Sequence, residues 1–575
     1  MNSRKCGFST IAALLLAAFS VRPALAGPPT GPADVIYVNG KIATLDPSGT
    51  IAEAVAVKDG RFEAVGTSDA IRKLSGPATR KLDLEGRLVV PGLIDAHTHP
   101  METLMMKESW VDARFPGTSS VTQALANIEA WSKHTPKGAW IFVACVSASE
   151  NKFEERRLPS RAELDAVAPD NPVVLANGTH MAVVNSMALR MLGVTKDDVE
   201  LKGGGRALLG DNGEPNGTLT DAMGAVPTTP TPDDLMRYYA SGIPDLWKSY
   251  GFTSVLAITP AAALPALQAV ARSVRPDIRY TLSVWTTPNA EGMPSDLGLF
   301  KMPEGVDPAY FRFAAIKTWA DGENDARTGL MYEPYEGHFD TDPPGGRGSL
   351  VTSPSELQRF VDIAARNGVI AMIHCSGDRA TDMCLDAHEH EAATRSHDSA
   401  MRIEHFGMFQ LSETQLRRAS ALRKQGLFIS IQPTWLLDLA KADVENMGDE
   451  RARTGFRFRA LIDAGLEPAA GTDVTGIYLA NVDPFLGIYS AVTRESDMGV
   501  FEPAQAVSVT EALKMWTIWA AKAMGEEKVK GSIEPGKFAD MAVLSDDIFA
   551  IEHDKLKDVR VLRTILGGVI VYEVK

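Results

Sequence analysis

Residues 91–100 read PGLIDAHTHP, an apolar run that ends in a His-X-His pair. Successive side chains of a strand point to opposite faces, so His97 and His99, two apart, project to the same side. Two neutral imidazoles converging there can hold one metal ion, because ring nitrogen is a good ligand for zinc and its neighbours. Other donors stand at the ends of other apolar runs: His374 closes VIAMIH, His405 closes RIEH, and Asp473 follows EPAAGT. Lys317 ends FRFAAIK. A lysine at the end of a buried strand is unusual, because an unpaired ammonium there is costly to desolvate. Such a set suits metal-assisted hydrolysis. Two cations ~3.5–4 Å apart lower the pKa of a shared water, and one polarises the scissile carbonyl. A carboxylate beside that water takes its proton and passes it to the leaving nitrogen.

These donors need a scaffold that brings strand ends together. Eight runs read as barrel strands: 93–97, 253–258, 280–285, 311–317, 369–374, 402–405, 427–432 and 467–473, with helical stretches between them. Alternation of this kind predicts α/β architecture, a TIM-like (β/α)8 barrel whose site lies at the carboxyl ends of its strands. Residues 33–90 and 525–575 read as short alternating strands, with hairpin signals at Asn39-Gly40 and Asp59-Gly60. Neither piece makes a stable sheet alone, so both termini are expected to form one small β-sandwich. The barrel is then 91–524. Residues 101–245 are too long for one connection and predict an inserted subdomain after strand 1, with helices in SVTQALANIEAWSKH, RAELDAVA and MALRMLG, a strand at 171–176 and a Gly-rich turn at 203–205.

Residues 1–26 read as a signal peptide: Arg4 and Lys5, an apolar run from Ile11 to Phe19, then Ala24-Leu25-Ala26 before Gly27. The apolar run is too short to span a bilayer. The expected location is therefore periplasmic or secreted, with no membrane attachment after cleavage. The 575-residue chain carries a net charge of −15, which argues against a nucleic-acid partner and an anionic lipid surface. Cleavage removes three cations and no acid, leaving Cys145, Cys375 and Cys384. Three cysteines are no disulfide framework.

LEGRLVVPGLIDAHTHP, together with ADGENDARTGLMYEPY (320–335), HCSGDRATDMCLDAHE (374–389), RIEHF (402–406) and GTD (471–473), resembles the YtcJ-like branch of the amidohydrolase superfamily, which includes N-substituted formamide deformylases. LPSRAELDAVAPDNPVVLANGTH (158–180) and VNSMAL (184–189) resemble it too. The resemblance implies a binuclear centre, with two zinc ions as the expected cofactor. His97 and His99 would hold the buried ion, His374 and His405 the second, and a carbamate on Lys317 would bridge both. Asp473 would ligate and serve as general base, and His180 would hydrogen-bond the developing oxyanion or the substrate. VACVSASE (143–150) departs from a Gly-Trp-Asp segment common in relatives.

Several residues carry a second reading. His180 can equally be a structural histidine, and Lys317 an unmodified amine paired with Asp321 or Asp473. His388, His390 and His397 are expected on a solvated helix face. Asp378 and Arg379 are expected to pair behind His374, with Cys375 beside the metal ligands but not among them. Met101, Met105 and Met106 can line a substrate pocket or simply pack in the core. The expected function is hydrolysis of a C–N bond, N-acyl or N-formyl, in a small-molecule substrate. Cyclic amide, ester or carbamate hydrolysis on the same site, or a non-catalytic barrel that only binds, are the alternatives. Substrate-binding residues are not assigned, and a homo-oligomer stays open.

Overall fold

The computed structural model describes residues 31–146, 149–178, 181–201, 205–220, 225–228, 230–285, 292–337, 345–394, 400–476 and 478–574. The signal-peptide reading, His180, His397 and most of the Gly-rich turn lie outside them.

Eight parallel strands form the central sheet: β1 (Leu93–Thr98), β2 (Phe252–Pro260), β3 (Arg279–Trp285), β4 (Phe311–Trp319), β5 (Ile370–His374), β6 (Met401–Glu404), β7 (Leu427–Ile431) and β8 (Ala469–Ala470). They pair in chain order, β1 to β2 and onward to β8. The strands read as continuous apolar runs because a barrel covers both faces, and all six residues of β1 are buried. Ile94, Ala96, Leu256, Ile258, Ala315, Met372 and Ala469 fill the interior with aliphatic and small side chains. Between β8 and β1 closure runs through the segment after β8. Asp473 N donates to His97 O at 2.8 Å, and His99 N to Val474 O at 3.2 Å. Gly471 makes that approach feasible: a Cβ there would stand 2.5 Å from the Cβ of His97 and 2.6 Å from its backbone nitrogen.

Local signals set the helices. Ser353 caps α1 (Pro354–Asn367) in a capping box with Glu356, Pro354 fills the first helical position, and Gly368 at φ 65° ends it. α2 (Asp378–Thr394) follows β5, α3 (Glu413–Arg423) follows β6, and α4 (Ile518–Ala523) closes the barrel region.

Two further sheets join the chain's ends. One runs Arg61–Gly66, Ala54–Lys58, Ala33–Val38, Ser75–Asp83. The other combines Val569–Glu573, Val561–Leu566 and Met541–Leu544 with Leu88–Pro91, Lys41–Ala43 and Ile51–Ala52. Their facing residues, Val35, Tyr37, Val55, Phe62, Val89, Met541, Val543 and Ile565 among them, share one core. The segment after β1 holds more sheet than its sequence announces. Six strands lie between residues 111 and 220, where only one, at 171–176, is legible in the sequence. Ile141–Cys145 and Met181–Val184 are buried nearly throughout, so they lack the polar–apolar alternation that identifies a strand.

Candidate metal centre

His97 sits at the end of β1, where the register against β2 slips by one residue between Asp95 and Thr98. A bulge of this kind bends a strand and re-aims its side chains. His99 lies beyond the strand, just before the helix Pro100–Ser109. The two imidazoles therefore do not share a straight strand, yet both reach Asp473. His97 Nε2 lies 3.3 Å from Asp473 Oδ1 and His99 Nε2 3.4 Å from the same oxygen. His405 Nε2 is 3.7 Å from Asp473 Oδ2. Candidate donor atoms of His97, His405 and Asp473 all lie within 4.8 Å of one another.

The backbone is strained where these donors sit. His405 adopts φ 62° and Asp473 φ 46°, the left-handed region that non-glycine residues seldom occupy. Such conformations cost of order 1–3 kcal/mol and persist where the surroundings over-determine them.

His374 ends β5, with its ring centroid 4.6 Å from that of His405. Its Nε2 stands 3.0 Å from Gly322 O, which can only accept, and 3.3 Å from Ser376 Oγ. Donation from Nε2 leaves the lone pair on Nδ1, the nitrogen then able to bind a metal. Lys317, on β4, is 1% exposed, with Nζ 5.1 Å from the Trp319 ring centroid. Burial pulls its amine down to about 8, although Glu404 and Asp473 nearby favour the charged form. A sizeable share of neutral amine is thus present near pH 8, the form that carbon dioxide can carboxylate.

Burial also drives the imidazoles of His99 and His405 down to about 3, so both are neutral and competent as ligands. Asp473 is held well below the usual carboxylate range. Burial alone would raise it, but His97, His405 and His99 outweigh that.

A second layer fixes the first. His97 Nδ1 stands 2.5 Å from Glu404 Oε2, and Glu404 in turn accepts from Arg402, with Nε to Oε1 at 2.6 Å and Nη2 to Oε2 at 3.1 Å. His405 Nδ1 meets Gln432 Oε1 at 2.7 Å, and its ring stacks on Trp435 at 5.1 Å. In both histidines Nδ1 is occupied, so Nε2 is left to face the centre. Nε2 of His97 and of His405 are buried and find no hydrogen-bond partner. Two buried nitrogens without a hydrogen bond, aimed at one carboxylate, present lone pairs to a common point, and the donor set fits divalent ions of the zinc type. Asp95 braces the floor of this arrangement, accepting from Thr472 N at 2.9 Å, Thr472 Oγ1 at 2.6 Å and Trp247 Nε1 at 2.8 Å.

Glu404, Gln432 and Trp435 went unread in the sequence. Glu404 had a signal: in RIE, Arg402 and Glu404 lie two apart in an otherwise apolar strand, which places both charges on one buried face. Two expectations are corrected. His388 is not on a solvated face: it is 0% exposed, because α2 turns that position inward between its neighbours, while His390 is exposed. Nor does Asp378 pair with Arg379. Asp378 opens α2 and accepts from Tyr332 N at 2.9 Å, while Arg379 points to solvent. Cys375 is buried, with Sγ 3.7 Å from Thr381 Oγ1, and Met101, Met105 and Met106 pack in the main core.

Comparison with known proteins agrees with this geometry. Residues 80–572 match the model of the Amidohydrolase family. The putative amidohydrolase YtcJ of Bacillus subtilis is 29% identical over 94% of this chain and 99% of its own length. The N-substituted formamide deformylase of Arthrobacter pascens is 29% identical over 94% of this chain and 98% of its own. Among solved structures, an uncharacterized metal-dependent hydrolase from Pyrococcus horikoshii is similar with a TM-score of 0.68 and 25% identity, covering 90% of this chain and 99% of the other.

Proposed function

The chain belongs to the amidohydrolase family, and from that membership we propose that it is an exported hydrolase with two divalent ions, cleaving the C–N bond of a small N-acyl or N-formyl amide. The observation that carries the reading is the pair of buried Nε2 atoms of His97 and His405, which make no hydrogen bond and face the one carboxylate of Asp473. His97, His99 and Asp473 would hold one ion, His374 and His405 the other, and a carbamate on Lys317 would reach both. When bound, such ions polarise the scissile carbonyl and acidify a water.

The chain's own groups supply the rest. Asp473, ionised and close to three imidazoles, is placed to take the proton of the attacking water at a carboxylate oxygen. It can then return that proton to the departing nitrogen, without which the amine is a poor leaving group. Glu404 and Gln432 keep His97 and His405 in the tautomer that presents Nε2. The C–N specificity rests on the likeness to the Arthrobacter deformylase, and export rests on the residues before Gly27.

The test is the metal content of the mature protein, purified without chelator and with bicarbonate present, followed by a screen of N-formyl and N-acyl amines. About two ions per chain and release of a free amine are expected. One ion per chain would remove the bridging role of Lys317, and no uptake at all would overturn the hydrolase mechanism.

A further inference from the structure

A cavity opens at the end of the barrel opposite the candidate metal centre, with a volume of about 590 Å³. Its walls come from the amino ends of the strands and the helices beside them. Arg312 and Phe313 stand at the start of β4, Phe428 in β7, Arg423 at the end of α3, and Lys522 and Met524 in and after α4. Metal ligands gather at the carboxyl ends of the same strands, so this cavity is no part of the centre described above.

Three cations from three separate elements converge here, and their acidic partners are shared. Arg423 Nη2 donates to Glu467 Oε2 at 2.8 Å, while Lys522 Nζ takes the other oxygen of the same carboxylate. One acid thus serves two cations. Arg312 Nη2 donates to Met524 O at 2.6 Å, and its nearest carboxylate, Glu526, lies 3.7 Å away and already binds Lys530 at 2.8 Å. Both guanidiniums are incompletely used: among the described residues no hydrogen bond engages the Nη1 of Arg312 or of Arg423, while the Nε of each is buried within the wall. Phe313, Met524 and Phe428 add apolar surface to the wall, Phe428 carrying the Arg423 guanidinium 4.3 Å above its ring.

We propose that this cavity at the barrel floor binds a small organic carboxylate, its anionic end taken by Arg312 and Arg423 and its hydrocarbon body lying against Phe313, Phe428 and Met524. The volume suits a ligand of small-molecule size. Nη1 of each arginine can give one charge-assisted hydrogen bond to a carboxylate oxygen, and the apolar residues beside them favour a carboxylate with a body over a bare inorganic anion. Glu527, also in the wall, opposes the anion and limits its affinity.

Benzoate, titrated calorimetrically into the metal-loaded protein at constant ionic strength, tests this, with inorganic phosphate as the bare-anion comparison. One saturable benzoate site is expected, with phosphate weaker. Arg312→Gln and Arg423→Gln should each weaken benzoate by about tenfold, the loss of one charge-assisted hydrogen bond, with metal content unchanged. Glu527→Gln should tighten it severalfold, a gain that misfolding cannot produce. Carboxylates can also reach metal ions, so Asp473→Asn is included and should keep the site. Unchanged affinity in both arginine variants, loss in Asp473→Asn, weaker binding in Glu527→Gln, or no saturable binding to the wild type would each overturn the proposal.

Discussion

His388 is the residue whose environment says most about acid stability. It is buried, and both ring nitrogens lack a hydrogen-bond partner. Burial brings its pKa down to about 4, against 6.5 for a free imidazole. Between those values the unfolded chain takes up a proton that the folded chain refuses. Stability is therefore full above pH 6.5 and falls as the pH drops towards 4, by at most about 3 kcal/mol from this group. His388→Leu should remove that part of the slope. Urea midpoints at pH 7.5 and pH 5 measure it, and an equal drop in wild type and variant would refute the assignment. Metal content should not change, because His388 makes no contact with the centre. Glu404 behaves differently. Its charge is held by Arg402 and by His97 Nδ1, so Glu404→Gln weakens the grip on the His97 tautomer without emptying the space. Metal affinity should fall by about 10–100-fold, as for other carboxylates behind a ligating histidine. Competition with a chromogenic chelator reads it, and an unchanged affinity would make Glu404 merely structural.

At the scale of elements, the meeting of β1 with the segment after β8 decides whether the donors converge. Gly471 has the backbone and Cβ of His97 at 2.5–2.6 Å from any added Cβ, and neither atom can swing away. Gly471→Ala should thus cost roughly 1–3 kcal/mol and displace His97, lowering bound metal. Gly66→Ala, at a position with nothing within 4 Å, is the control. Retained metal and an unshifted unfolding midpoint in Gly471→Ala would show that closure tolerates slack. The eight strands were legible because most are bounded apolar runs, and five donors, His97, His99, Lys317, His374 and His405, stand as polar residues at or near the ends of such runs. What the sequence could not disclose follows from three-dimensional pairing. The Glu404–His97 contact joins residues 307 positions apart, and the bulge in β1 leaves no mark in the alternation of its residues. The inserted sheet escaped notice because strands buried on both faces look like any other apolar run.

At the scale of the whole molecule, the terminal sheets act as a brace that couples both chain ends to the barrel. Leu88–Pro91 pairs with Met541–Leu544 and runs almost directly into β1. The link is reinforced beneath the barrel by Arg279, in β3, which donates to Asp540 through Nε at 2.7 Å and Nη2 at 2.9 Å. Arg279 is 3% and Asp540 5% exposed, so the pair is almost fully out of water. A buried pair is weak evidence of net stabilisation, but removing one partner leaves an uncompensated charge inside. Asp540→Ala should accordingly cost about 3–5 kcal/mol, and Arg279→Met combined with Asp540→Leu should recover most of the loss. Denaturant unfolding of wild type, Asp540→Ala and the double variant measures both steps. The metal affinity of whatever stays folded should match wild type, because the pair joins the brace to the barrel floor while the donors stand at the opposite rim. Equal stability of Asp540→Ala and wild type would mean that water reaches Arg279, and that the brace is held by its apolar core alone.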